Sequence, residues 1–187
     1  MEILVHYLQL IREWNPVSSL VSEGDAREGL EAHVADSLGL APILQSNGLS
    51  QGLLLDVGSG GGFPAVPLKV IFPELSVILM ERSSKKRAFL AKVTAALGLK
   101  GVQLITGSFP CDMPVLSPRV ITSRAIERPK ELIPSVCAAL SPGAVYICQS
   151  GDPSDVVPSD CTVELSHDEW ERTGLRRGEV YLVRQTG

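Results

Sequence analysis

Leu53-Leu54-Leu55-Asp56-Val57-Gly58-Ser59-Gly60-Gly61-Gly62-Phe63-Pro64 decides the fold of this chain. An apolar run leads into an acid, four glycines follow within five positions, and Phe63-Pro64 opens a segment with helical spacing. That order reads as a buried strand, a glycine turn and a helix start. Glycine lets a ligand approach the main chain closely, and a helix start offers N–H groups without intrahelical partners. The stretch therefore predicts a nucleotide-like ligand at the carboxyl end of the first strand of an α/β sheet.

The position of Phe63 narrows the ligand. The dinucleotide fingerprint G-x-G-x-x-G needs its third glycine for close packing of helix on strand. Gly58 and Gly60 fit, but Phe63 stands in the third place. Lys69 lies too far past the glycines to serve as a Walker lysine. The spacing Asp56-x-Gly58-x-Gly60-x-Gly62 resembles motif I of the S-adenosylmethionine-dependent methyltransferases. Asp56 orders the glycine loop or meets the methionine amino group; a purely structural Asp56 reads equally well. An NAD site, or a glycine loop without a ligand, are the other readings of this stretch.

Outward from the loop, strand and helix patterns alternate. Strands are predicted at 53–57, 76–80, 102–106, 120–123 and 144–149, with helices over 64–71, from Ser83 or Ser84 to about 97, and over 129–140. Two late strands, 161–165 and 179–184, have no helix pattern between them and suggest an antiparallel edge. The part before residue 50 reads as helical, over 2–14 and 25–46, with Asn15-Pro16 as a breaker. Together these predict an α/β, doubly wound, mostly parallel seven-stranded sheet, Rossmann-like, with a helical N-terminal extension. One domain is expected over 1–187, the extension at 1–50 and the cofactor-binding core at 51–187.

Composition bounds the function classes. The 187 residues are 44% hydrophobic and carry a formal net charge of −4. That balance argues against a protein that coats nucleic acid non-specifically. Cys111, Cys137, Cys148 and Cys161 have no C-x-x-C spacing and so give no zinc signature; Cys137, Cys148 and Cys161 sit in or beside apolar runs and read as buried free thiols in a reducing cytoplasm. The apolar start lacks the basic flank and cleavage site of a leader, and no span is long enough for a membrane.

Glu81, at the predicted end of the second strand, suits two ribose hydroxyls. Lys85, Lys86 and Arg87, with Lys92 a turn later, are basic residues at a helix start, where they oppose the helix dipole. Phosphates of RNA are their functional reading and a solvated face the other. Arg124 ends the fourth strand, where a guanidinium suits guanine or a phosphate. The amino-methylating signature, Asn or Asp followed by Pro-Pro-aromatic, is absent. Pro110-Cys111 follows the third strand, away from where a cysteine nucleophile belongs.

The string Asp56 to Pro64 with Pro67, Lys85-Lys86 with Phe89-Leu90, Ser123-Arg124-Ala125, Trp14-Asn15, and His33 with Asp36-Ser37-Leu38 resemble the glucose-inhibited division protein B family. These are the bacterial ribosomal small-subunit methyltransferase G enzymes. The resemblance covers most of residues 7–150. It implies S-adenosylmethionine as cofactor, contacted by Gly58, Phe63, Phe109, Pro110 and Arg124. It implies methylation of guanine N7 in 16S ribosomal RNA near the decoding centre, with that RNA or the small subunit as partner and no obligate protein partner. The chain departs from the family at Pro110, commonly glutamate, at Ser150-Gly151, commonly Lys-Gly, and at Ser19-Leu20-Val21, commonly Asn-Leu-Thr. Two rival readings stay open: an RNA-binding module with a degenerate pocket, and a methyltransferase of small molecules or protein.

Overall fold

A computed structural model describes residues 2–113, 116–124, 127–149, 151–166 and 179–186. Ala125 and Ser150, two positions named above, lie outside the described residues. In chain order the elements are α1 Glu2–Ser18, α2 Glu23–Glu28, α3 Leu30–Leu38, α4 Ala41–Ser46, β1 Gly52–Val57, α5 Ala65–Ile71 and β2 Leu75–Glu81. They continue with α6 Ser84–Ala96, β3 Val102–Thr106, β4 Val120–Ser123, α7 Pro129–Ala138, β5 Val145–Cys148, β6 Cys161–Leu165 and β7 Tyr181–Gln185.

The strands form one sheet in the order β3-β2-β1-β4-β5-β7-β6. β1 to β5 are parallel neighbours, and β7 inserts antiparallel to both β5 and β6. The apolar runs of β1 and β2 are continuous because both faces are covered. Leu54, Val77, Leu79, Val120 and Ile147 face one core with α1, α3, α5 and α6. Leu55, Val57, Ile78, Met80, Ile121 and Tyr146 face the other, with Ile133, Val136 and Cys137 of α7.

The chain order reverses between β1 and β4, the place where open α/β sheets bind ligands. Val57 pairs with Ser123 across that seam and with Met80 on its other side. Gly58, Arg124 and Glu81 thus emerge side by side at the carboxyl edge.

The N-terminal helix differs from the expected 2–14. It runs through Pro16 to Ser18. A proline near the last turn removes one helix bond, and Asn15 compensates: its buried Oδ1 accepts from the N–H groups of Leu20, at 2.8 Å, and Val21, at 2.9 Å. Asn15 therefore anchors the chain reversal after the helix instead of breaking the helix. Ser19, at φ 48°, makes the stop. Ser83 caps α6, its hydroxyl accepting from the Lys86 N–H. The helix of 129–140 ends two residues early, at Ala138. Cys137 and Cys148 are buried, Cys161 half-buried and Cys111 exposed. Among the described residues no helix is long and apolar enough to cross a membrane.

Candidate active site

The glycine loop is tied to the end of β2. The N–H groups of Gly58 and Ser59 both donate to the Met80 carbonyl, at 2.9 and 3.1 Å. The Gly60 N–H donates to Glu81 Oε2 at 2.9 Å, and the Ser83 N–H to Glu81 Oε1 at 2.8 Å. The Gly62 N–H donates to the Ser59 carbonyl at 2.6 Å. These loop N–H groups are engaged within the protein. The loop contributes space instead. A Cβ on Gly58, whose φ is +72°, would meet nothing within 4 Å, so the missing side chain leaves room against the main chain. Gly62 has a different role. A Cβ there would come within 2.7 Å of Val66 Cγ2 and 3.1 Å of the Tyr7 hydroxyl, so the small residue permits packing.

Two cavities open beside this loop. The larger, of ≈ 600 Å³, is walled by Gly58, Glu81, Phe109, Pro110, Arg124 and Leu132 among others. The smaller, of ≈ 250 Å³, is walled by Asp25, His33, Gly58, Gly60, Phe63 and Arg124 among others. Gly58, Lys86 and Arg124 line both, so the cavities meet at the β1–β4 seam. The structure thus gathers Gly58, Gly60, Phe63, Glu81, Phe109, Pro110, Lys86 and Arg124 around one space. Asp56 and Gly62 lie beneath it and line neither cavity. Lys85 is exposed. Arg87 turns its Nη1 toward the carbonyls of Arg82, at 2.8 Å, and Glu81, at 3.4 Å.

Arg124 is held on three sides. Its Nη2 donates to Nδ1 of His33. Its Nη1 lies 3.4 Å from Asp36 Oδ2. Its guanidinium carbon sits 5.8 Å from the centroid of the Phe63 ring, within cation–π range. Phe63 is in turn packed by Tyr7 and His33, each ring 5.3 Å away. The Tyr7 hydroxyl donates to the Gly61 carbonyl at 2.6 Å, so α1 braces the loop. His33 Nε2 lies 3.4 Å from Asp25 Oδ2. Ser22 donates its hydroxyl to Asp25 at 2.6 Å and holds that carboxyl below its ordinary range.

Asp56 is 1% exposed. Thr122 donates its hydroxyl to Asp56 Oδ1 at 2.8 Å, while Oδ2 has no hydrogen-bond partner. Burial pushes this carboxyl up to about 7; hydrogen bonds from Thr122 and Ser59 oppose the rise, the charge of Glu81 adds to it, and Arg124 opposes it.

Tyr7 read only as an apolar helix position, Asp25 only as a turn residue and Thr122 only as part of a strand; none carried a signal for the site. His33 and Asp36 stood only as a matching string, although their i, i+3 spacing on a helix places both on one face. Among the described residues no group of three or more His, Cys, Asp or Glu is arranged to hold a metal ion.

Comparison with known proteins gives the family and the fold. The GidB family model, described as rRNA small subunit methyltransferase G, matches residues 1–154. Ribosomal RNA small subunit methyltransferase G of Laribacter hongkongensis is 31% identical over 166 residues, covering 89% of this chain and 76% of that protein. The protein of the same name from Hydrogenovibrio crunogenus is 41% identical over 102 residues, which are 54% of this chain and 45% of that protein's length. In fold, the chain is similar to a putative S-adenosyl-L-methionine-dependent methyltransferase from Methanococcus maripaludis, with a TM-score of 0.65 at 13% identity, over 96% of this chain and 92% of that one.

Proposed function

We propose, on the premise that this chain belongs to the rRNA small subunit methyltransferase G family, that it transfers the methyl group of S-adenosylmethionine to N7 of a guanine in 16S ribosomal RNA near the decoding centre. The observation that carries this reading is the meeting of two cavities at Gly58 and Arg124, one of a size for a nucleoside and the other beside it. The enzyme is cytoplasmic in this reading, and the helical 1–50 stretch works with the 51–187 core as one domain.

The residues fit the cofactor. Gly58 leaves an open cradle against the main chain. Glu81 holds two backbone N–H groups, and each carboxylate oxygen keeps a further acceptor site for a ribose hydroxyl. Phe109 and Pro110 give the larger cavity an apolar wall for a base, although Pro110 has no carboxylate like that common in the family. When bound, the cofactor supplies an electrophilic methyl on a cationic sulfur. Guanine N7 has an in-plane lone pair and no proton to lose. Transfer of that methyl to N7 would leave the bonding pair on sulfur and the positive charge on the base, with Gly58, Glu81 and Arg124 holding the two partners. No general base is required. The protein's task is proximity and orientation, worth about 7–11 kcal/mol in favourable cases. Arg124 stands where cofactor and base would meet, and Asp36 offsets its charge beside a cationic donor.

Purified protein incubated with labelled S-adenosylmethionine and small-subunit RNA lacking the modification should place label at N7 of one guanine. Transfer to protein or small molecules only, or none at millimolar cofactor, would refute the reading.

Lys86, on the shared wall, and Lys85, exposed beside it, hold the RNA backbone in this proposal. Replacing both with glutamine should weaken RNA binding most at low salt. The slope of log affinity against log salt should become shallower by about 0.7 for each lost phosphate contact. An unchanged slope would remove these lysines from the RNA face.

A further inference from the structure

His33 lies on α3, far in sequence from the sheet, yet it is the hydrogen-bond acceptor for Arg124. A guanidinium only donates. The contact therefore requires a neutral imidazole with a bare Nδ1, which puts the ring proton on Nε2, the nitrogen that faces Asp25. The same ring packs against Phe63, the residue whose face lies beneath the guanidinium. We propose that His33 is a positioning residue for Arg124. As the neutral Nε2–H tautomer it holds the guanidinium at the junction of the two cavities, and uptake of a second proton releases it. The inference rests on the proposed function only in giving Arg124 a part in methyl transfer.

The charge surroundings are mixed. Asp25 of α2 and Asp36 of α3 favour the second proton. Arg124 after β4, and Lys86 of α6 on the same cavity wall, oppose it. Asp56 of β1, coupled to Arg124, titrates beneath the loop, and the Tyr7 hydroxyl of α1 stays engaged with Gly61. Once both ring nitrogens carry protons, Nδ1–H faces N–H and cation faces cation. Arg124 keeps Asp36 but loses the acceptor that directs its Nη2. A side chain displaced by about 1 Å can reduce catalysis by as much as 100-fold.

Substitution separates holding from packing. Asparagine sets its amide oxygen where histidine has Nδ1 and takes up no proton in this range, whereas alanine removes the acceptor. We compare wild type, His33→Asn, His33→Ala and Arg124→Ala by single-turnover methyl transfer from about pH 8 to about pH 5.5, the span in which imidazoles take up a proton. His33→Ala should lower the rate about tenfold or more at pH 8, and His33→Asn should recover most of that loss. The ratio of wild type to His33→Asn should fall at least fivefold toward acid. Asp56 titrates in both proteins and drops out of the ratio. A constant ratio, or a wild-type rate in His33→Ala, overturns the proposal.

An Arg124→Ala protein at the wild-type rate would instead overturn the role of Arg124 and leave the His33 geometry standing. That geometry has its own readout without substrate. Nitrogen NMR should find His33 Nδ1 unprotonated at pH 8, with the Arg124 guanidinium resonances following the imidazole as acid is added. A protonated Nδ1 at pH 8, or guanidinium signals indifferent to the imidazole, would overturn the proposal whatever the protein's activity.

Discussion

Arg124→Ala loses methyl transfer by a factor of 100 to 1,000 while the sheet stays folded. The magnitude is about that of deleting one preorganised donor from an active site. Arg124 lines both cavities and is held by a hydrogen bond, an ion pair and an aromatic face. Its loss leaves His33 Nδ1 without its donor and deprives the buried Asp36 of its guanidinium. Some stability goes with it, because a buried carboxylate stripped of its cation is unfavourable. The double variant Arg124→Ala/Asp36→Asn should regain that stability and none of the activity. Lysine should not substitute, since one ammonium cannot reach His33 and Asp36 while lying flat on Phe63. Single-turnover transfer, with melting curves on the same samples, tests the set. A tenfold loss or less in Arg124→Ala would show that alignment does not depend on it.

Binding of S-adenosylmethionine at pH 7 releases a substantial fraction of a proton, and Asp56→Asn abolishes the release. Asp56 is pushed up to about 7, chiefly by burial, so near neutrality it is held by a proton about half the time. A cationic ligand above the loop favours the ionised carboxylate and drives that proton off. Calorimetric titrations in buffers of different ionisation enthalpy measure the number directly. Equal apparent enthalpies in all buffers would exclude the coupling.

The same residue governs stability against pH. Its folded pKa is raised above the unfolded value, so the folded state binds the proton more tightly and folding is favoured below about pH 4. That contribution is lost as pH rises through 7. The full swing is about 4 kcal/mol from a displacement of about three units. Asp56→Asn, which keeps an acceptor for Thr122, should therefore gain most on wild type at pH 8, less than half as much at pH 5, and little at about pH 4. Melting temperatures that shift equally at all of these pH values would contradict it.

Much of this was legible from residues 53–64 outward. A strand, four glycines and a helix start identify the edge of the sheet that carries the site. A cap at Ser83 or Ser84 and two late strands at an antiparallel edge were equally readable, because caps and strand periods are local signals. The course of α1 through Pro16 was not, since it depends on where the Asn15 side chain finds partners five and six residues on. Nor was the engagement of the loop N–H groups by Met80 and Glu81, which needs the register of β2 against β1. Sequence alone placed Lys85, Lys86 and Arg87 together; the fold sends Lys86 to the cavity wall and Arg87 to the carbonyls of Glu81 and Arg82. His33 stood only in a matching string for a related reason: its meaning comes from Arg124 on the far side of the seam, and that of Asp25 comes in turn from His33.

Their distance along the chain bears on the order of assembly. The Tyr7–Gly61 bond closes a loop of 54 residues and the His33–Arg124 bond one of 91, whereas β1 and β2 pair across a short crossover. Chain-closure entropy grows only with the logarithm of length, about 0.6 kcal/mol per doubling, so these long closures weigh little on final stability. They weigh on kinetics, because distant contacts return nothing until most of the intervening chain is in place. The sheet edge with its glycine loop is therefore the early product of folding. The N-terminal helices close over it afterwards, completing one face of the core and the surroundings of Arg124 in the same step.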